Sequence, residues 1–276
     1  MDFLSEFRER LVNDEKAKLT VEKYVRDCRA FLAWISESGR TLDKEAVLCY
    51  KELISKKHKT AGANSILSSL NAYFSYIGRD ELKVKILKRQ MTNFRNEEKE
   101  LTRDEYARLL NAAKERKNRK LYYIMMTVCR TGIRISELSY ITVEAARKKE
   151  AVIGNKGKIR IILLPEKLCR ELLCYASEEK IKSGPLFVTK NGNPLDRSNI
   201  WKMMKSLCES ANVEKEKVFP HNLRHLFAVT FYSVHKDIVH LADILGHSTV
   251  STTRIYTLES SRAHRKQMEQ LSGLLL

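Results

Sequence analysis

The chain has 276 residues, enough for a sizeable core in one domain or two, and its 43% hydrophobic and 31% charged content excludes general disorder. Lys and Arg number 51 against 34 Asp and Glu, a formal net charge of +17 that attracts polyanions, nucleic-acid phosphates ahead of a basic membrane surface. No apolar run is long enough to span a bilayer. Asp2, Glu6, Arg8, Glu9 and Arg10 interrupt any signal-peptide core, and the six scattered cysteines, with no C-x-x-C pair, read as reduced thiols. The expectation is a cytoplasmic protein without membrane contact.

The first ninety residues read as helices. Leu4, Phe7, Leu11 and Val12 recur at helical spacing, and Val21, Tyr24, Val25, Cys28, Phe31, Leu32 and Ile35 form a second face ended by Gly39. Asp43 can cap a third helix carrying Val47, Leu48, Leu53 and Ile54, and Ile66, Leu67, Leu70, Tyr73, Phe74 and Ile77 make a fourth, closed by Gly78. Residues 87–100 (LKRQMTNFRNEEKE) lose this period and are nearly all polar, a linker signature. Thr102 and Glu105 then fit a capping box that opens a second domain. The division expected is a helical DNA-binding domain over 1–90, a linker over 91–100, and a second domain over 101–276.

That second domain begins with helices over 102–114 and 121–129, interrupted at Thr131-Gly132. Three β-branched runs follow, at Tyr140–Val143, Ala151–Ile153 and Ile159–Leu164, and GNKGK at 154–158 between the last two suggests a hairpin turn. Helical period returns after Pro165, Pro185–Val188 reads as a short extended piece, Asn191–Pro194 as a turn, and Ser198 as the cap of a helix reaching Cys208. The rest is helical in character. The fold class is mainly α with a small β-sheet in the second domain (α+β).

Reactive groups concentrate in RTGIRISEL (130–138), GNKGKIR (154–160) and the stretch 219–256. Converging carboxylates for a two-metal nuclease are lacking, since Glu137 and Asp243 are the best acids near these segments. His221 and His225 have i, i+4 spacing, but Asn222 stands where an H-E-x-x-H motif needs its glutamate, and GNKGK is too short for a phosphate-binding Walker loop. No metal and no cofactor is expected. What is present suits a phosphodiester under attack. Guanidinium forks match the charge growing on its non-bridging oxygens, a tyrosine needs cations or a proton acceptor nearby to act as a nucleophile, and a hairpin lysine can protonate a leaving oxygen. Arg134, Lys156, His221, Arg224, His247 and Tyr256 fit these roles. Read singly, each has an ordinary explanation: Arg134 can pair with Glu137, His221 can sit at a helix start, and Tyr256 can be core.

Their order and spacing carry more than any one of them. RTGIRISEL, GNKGKIRIILLP, HNLRH and LGHSTVSTTRIYT resemble the signatures of the tyrosine site-specific recombinases, the integrase and Xer group. The resemblance covers about residues 101–260 and extends more loosely to the amino-terminal helices, which resemble that family's core-binding domain. It implies that Arg134 and Arg224 clamp the scissile phosphate, that His221 and His247 add hydrogen bonds, and that Lys156 protonates the leaving oxygen, with Lys158 the alternative. Tyr256 is then the nucleophile, forming a 3′-phosphotyrosyl bond without ATP or metal, and Glu137 supports Arg134. The implied partners are a double-stranded DNA recombination site, clamped between the two domains, and further copies of the chain in a tetramer, or a related recombinase. The apolar Met268, Leu271 and Leu274–Leu276 of the tail suit docking on a neighbouring protomer or on the chain's own core. Two other classes fit less well: a type IB topoisomerase-like strand transferase, and a non-cutting DNA-binding regulator.

Overall fold

The computed structural model describes residues 3–88, 97–155, 158–189, 191–247, 249–257, 265 and 268–272. Two compact units divide the chain, Met1–Met91 and Thr92–Leu276.

Among its described residues the first unit has four α-helices, α1 (Phe3–Asn13), α2 (Lys18–Glu37), α3 (Lys44–Lys57) and α4 (Thr60–Tyr76), and a short 3₁₀ turn, Asp80–Leu82. Each buries one stripe, with Phe7 and Leu11 from α1, Cys28 and Phe31 from α2, Val47 and Ile54 from α3, and Leu67, Leu70 and Phe74 from α4. Aromatic edges meet faces at the centre. Phe31 lies 5.0 Å from Tyr50 and 5.8 Å from Phe74, centroid to centroid. The caps are local chemistry: the Asp43 carboxylate accepts from the Ala46 amide at 2.8 Å, as its position before α3 suggests. One charge is buried between α2 and α4, where Asp27 accepts from Lys23 at 2.5 Å and from Ser69 at 2.9 Å. The chain leaves this unit as an extended strip held by two side-chain amides of α4. Asn71 exchanges both of its hydrogen bonds with the backbone of Val84, at 3.0 and 2.9 Å, and Asn64 does the same with Leu87, at 2.7 and 2.9 Å. Each amide replaces a missing strand partner.

The second unit opens with α5 (Arg103–Glu115), whose capping box is complete. Thr102 Oγ1 accepts from the Glu105 amide, and Glu105 Oε2 accepts from the Thr102 amide at 2.8 Å. Then come α6 (Arg119–Thr131), a 3₁₀ stretch (Ile135–Tyr140), α7 (Val143–Lys148), the strands β1 (Glu150–Asn155) and β2 (Lys158–Leu163), α8 (Glu166–Glu178), α9 (Arg197–Ser206), α10 (Cys208–Ala211), α11 (Pro220–His235) and α12 (Ile238–Leu245). Two 3₁₀ turns, Val250–Thr252 and Arg254–Tyr256, follow. Helix α6 packs on α11, and its Ile124, Met125 and Val128 sit in one core with Leu223. The strands pair antiparallel with Asn155 opposite Lys158 and Val152 opposite Ile161. Ala151, Ile153 and Ile162 face the core, while Val152, Ile161 and Leu163 lie exposed on the outer face.

Two sequence expectations are corrected. Tyr140–Val143 is not a strand: Thr142 forms one isolated bridge to Pro185, and its hydroxyl caps α7 by accepting from the Ala145 amide. A β-branched residue at a helix cap sits in extended backbone too, so composition could not separate the two. The cap of α9 is Asp196, whose carboxylate accepts from the Ser198 amide at 3.0 Å. In the tail, the described residues 268–272 are helical, with Met268 and Leu271 about half exposed, and Leu274–Leu276 lie outside the described residues. Among the described residues no helix is long and apolar enough to cross a membrane.

Asn71→Ala should strip both groups of Val84 of their partner. The expected cost is about 1–3 kcal/mol of stability, read as a lower first transition in urea unfolding of the full chain.

Candidate active site

The site is built where four chain segments converge on one buried guanidinium. Arg224 projects from the second turn of α11, whose first residue, Pro220, needs no amide partner there. Only 2% of Arg224 is exposed. Its Nη1 donates to the Gly132 carbonyl and its Nη2 to the Leu245 carbonyl, both at 2.7 Å. These carbonyls end α6 and α12, where no amide of the same helix is left to meet them. Burial, and next Arg134, push the Arg224 pKa down to about 10, with Tyr256 acting against that shift. The side chain still carries its full charge at neutral pH.

The same Nη2 lies 3.1 Å from His247 Nε2. A guanidinium can only donate, so Nε2 accepts and the imidazole proton belongs on Nδ1, which faces Thr253 Oγ1 at 2.8 Å. Thr253 is fully buried. Burial and then Arg224, Arg134 and Arg160 push the His247 pKa down to about 4, in keeping with a neutral ring. His221, in the first turn of α11, is exposed along much of its surface, and its pKa is lowered by partial loss of water around its ring and then by Arg224, Arg197 and Arg134 in turn.

Arg134 is set by Glu137. The Glu137 carboxylate is 3% exposed, accepts from the Arg134 amide at 2.7 Å, and takes Nη1 of Arg134 at 3.1 Å. Its Oε2 also holds Nη2 of Arg160 at 2.5 Å, and Nη1 of Arg160 reaches the Ile244 carbonyl at 2.9 Å. Sequence reasoning gave Arg160 no role, although strand alternation places it on the inward face with Ile162, and a cation there needs a buried anion. The neighbouring Gly246 has φ +63°, and a Cβ on it would fall 2.7 Å from the Arg160 guanidinium. Only glycine gives that backbone both its hand and its space. Two guanidiniums therefore share one carboxylate, and its charge also acts on the third, Arg224.

Tyr256 closes the site from the last 3₁₀ turn. It is 3% exposed, with its ring stacked at 6.1 Å and 14° against His247 and edge-on at 5.1 Å to His225. The structure thus gathers Arg134, Glu137, His221, Arg224, His247 and Tyr256 into one electrostatically linked group. Lys156 lies outside the described residues, but β1 and β2 bring the backbone of Asn155 and Lys158 together on either side of it. Among the described residues no cluster of three or more metal-ligating side chains exists. The arrangement can hold an oxyanion with fixed cations while presenting a hydroxyl beside it.

Comparison with known proteins agrees with that geometry. The phage integrase family pattern matches residues 99–262. The chain belongs to the phage integrase family, as a Xer-like tyrosine recombinase. It is 29% identical to the tyrosine recombinase XerA of Thermococcus kodakarensis, covering 99% of this chain and 98% of that one. A crystal structure of XerA recombinase is similar with TM-score 0.54 and 25% identity, over 98% of this chain and 97% of that chain. A lambda integrase dimer bound to a COC′ core site shares the fold, with TM-score 0.71 at 16% identity, over 94% and 95% of the two chains.

The folded-state pKa of His247 lies below its unfolded value, so the unfolded chain takes up that proton first. His247 should cost stability progressively as pH falls from about 6.5 toward 4. Imidazole ¹⁵N NMR of the free protein should show a midpoint near 4 on Nε2. Addition of a phosphate-bearing duplex should move it upward, because an anion favours the charged ring.

Proposed function

We propose that this recombinase cuts and rejoins duplex DNA at a specific site through a 3′-phosphotyrosyl bond to Tyr256. The observation that carries this reading is the stacking of the Tyr256 ring on His247, which in turn binds Arg224, in a pocket where, among the described residues, Glu137 pairs with both Arg134 and Arg160. Arg134, half exposed and steered by Glu137, and Arg224 bind the non-bridging oxygens. His221 and His247 complete the donor set once the anion raises their affinity for a proton. The tyrosine hydroxyl gives its proton to a neutral imidazole of the site, its oxygen attacks phosphorus, the bond from phosphorus to the 5′-oxygen breaks as that oxygen takes a proton from Lys156, and the phosphodiester energy is held in the new bond. Reversal on another strand then needs no ATP.

The partners follow from the relatives. A Xer recombinase and lambda integrase have been solved on their DNA sites, and lambda integrase as a tetramer on a Holliday junction. We place this chain on a double-stranded recombination site as a homotetramer, or with a related recombinase, in the cytoplasm of a prokaryote. The half-exposed Met268 and Leu271 of the tail suit burial on a neighbouring protomer.

Duplex recovered and sequenced from bound Tyr256→Phe protein supplies the substrate. On a nicked suicide version of it, the wild type should accumulate a covalent adduct and Tyr256→Phe none. Absence of adduct from the wild type would refute the reading. Arg134→Ala should slow adduct formation by about 10²-fold or more while duplex affinity changes little. Removal of 262–276 should leave adduct formation on single sites and abolish cooperative synapsis, measured by native gel shift of two-site complexes.

A further inference from the structure

Tyr256 rests on a second imidazole that the mechanism leaves unused. His225 follows Arg224 on α11, so its ring projects from a different side of the helix than the phosphate ligand. It meets Tyr256 edge-on, at 5.1 Å between centroids and 64° between planes. Its Nε2 lies 3.6 Å from the Glu100 carboxylate, and both side chains are nearly buried, at 14% and 13% exposure. Glu100 belongs to the segment by which the chain enters the second unit. That segment is pinned to α11 one turn earlier, where the buried Asn222 donates from Nδ2 to the Lys99 carbonyl at 2.8 Å and to the Lys217 carbonyl at 2.8 Å. The first turns of α11 thus hold the entry segment on one side and the Tyr256 ring on the other.

We infer that His225 is a positioning residue for Tyr256, itself held by Glu100. The inference rests on the reading of Tyr256 as nucleophile. The physical argument is one of rotational freedom. A 3₁₀ turn is a short, weak element, and the backbone of Arg254–Tyr256 cannot by itself fix a side chain with two free torsions. His247 stacks on one face, and Ala228, Leu241 and Leu245 share a buried apolar cluster with the ring. The edge contact from His225 adds a restraint at a further side of the ring, and the Glu100 carboxylate fixes the orientation of His225 in turn. The role inferred for His225 is to act on cleavage through where Tyr256 stands.

The test begins with the protein alone. Tetranitromethane nitrates exposed tyrosines, and peptide mapping by mass spectrometry reads each one. Tyr256 should be protected in the wild type and in His225→Phe, which keeps a ring in place, and should react at least about tenfold faster in His225→Ala. Tyr175, fully buried, should stay protected throughout and reports that the fold is intact. Equal protection of Tyr256 in the wild type and His225→Ala overturns the inference. Where His225→Ala exposes Tyr175 as well, Glu100→Gln takes its place: faster nitration of Tyr256 supports the link, and unchanged protection overturns it. On the suicide duplex, His225→Ala should cleave about 10²-fold more slowly at unchanged duplex affinity, and His225→Phe should recover most of that loss. Adding Glu100→Ala to His225→Ala should slow cleavage no further, because both act along one path, whereas multiplied losses would remove Glu100 from the proposal. Adduct formation by Tyr256→Phe is a different failure: it would remove the nucleophile itself, and with it the role of His225 in cleavage.

Discussion

A guanidinium withdrawn from water sets the geometry of this catalytic unit. Arg224 loses most of its hydration, and an ionised group in that position is tolerated only where donors and acceptors are matched. It is matched by the carbonyl ends of two helices and by one imidazole. Each of those partners already has a reason to be where it is. Gly132 and Gly246 end α6 and α12 in the left-handed region, which turns the carbonyls of Gly132 and Leu245 toward a common point. A cation at the negative ends of two helices is also where the backbone dipoles favour it. Fold and site are consequently one object, since the termination of α6 and α12 is what builds the cradle.

A second layer hangs from the first. Glu137 neutralises part of the charge and orients two arginines, one of which, Arg160, returns to the Ile244 carbonyl beside Leu245. The loop of contacts runs from α6 through the 3₁₀ stretch to β2, on to α12, and back to Arg224. This is why the small hairpin belongs to the core of the site although only two strands form it. A two-stranded sheet is marginal by itself, and here its inward arginine fastens it.

Much of this was legible in the residues, and the parts that were not share a cause. Local rules carried the four amino-terminal helices, the Asp43 cap, the Thr102–Glu105 capping box and the hairpin at GNKGK, because each depends on neighbours within a few positions. The order of the reactive segments carried the grouping of Arg134, Arg224, His247 and Tyr256. Arg160 escaped because its partners lie 23 and 84 positions away. His225 escaped because its zinc-like spacing to His221 drew attention to the wrong neighbour. The extended reading of Tyr140–Val143 failed where Thr142 had two local solutions and the tertiary bridge to Pro185 decided between them.

The imbalance of three guanidiniums against one carboxylate reaches beyond chemistry into the stability of the unit. Like charges held together in a poorly solvated pocket repel, and that repulsion weighs against the folded state. A bound phosphate opposes it as a counter-ion, so nucleic acid bound there favours the native state as well as serving as substrate. Folding and binding are then linked by mass action, and an occupied site stabilises the unit by RT ln(1 + [L]/Kd). The apparent robustness of this domain is a property of the protein together with its DNA, and simple oxyanions in solution share in it to the degree that they imitate a backbone phosphate.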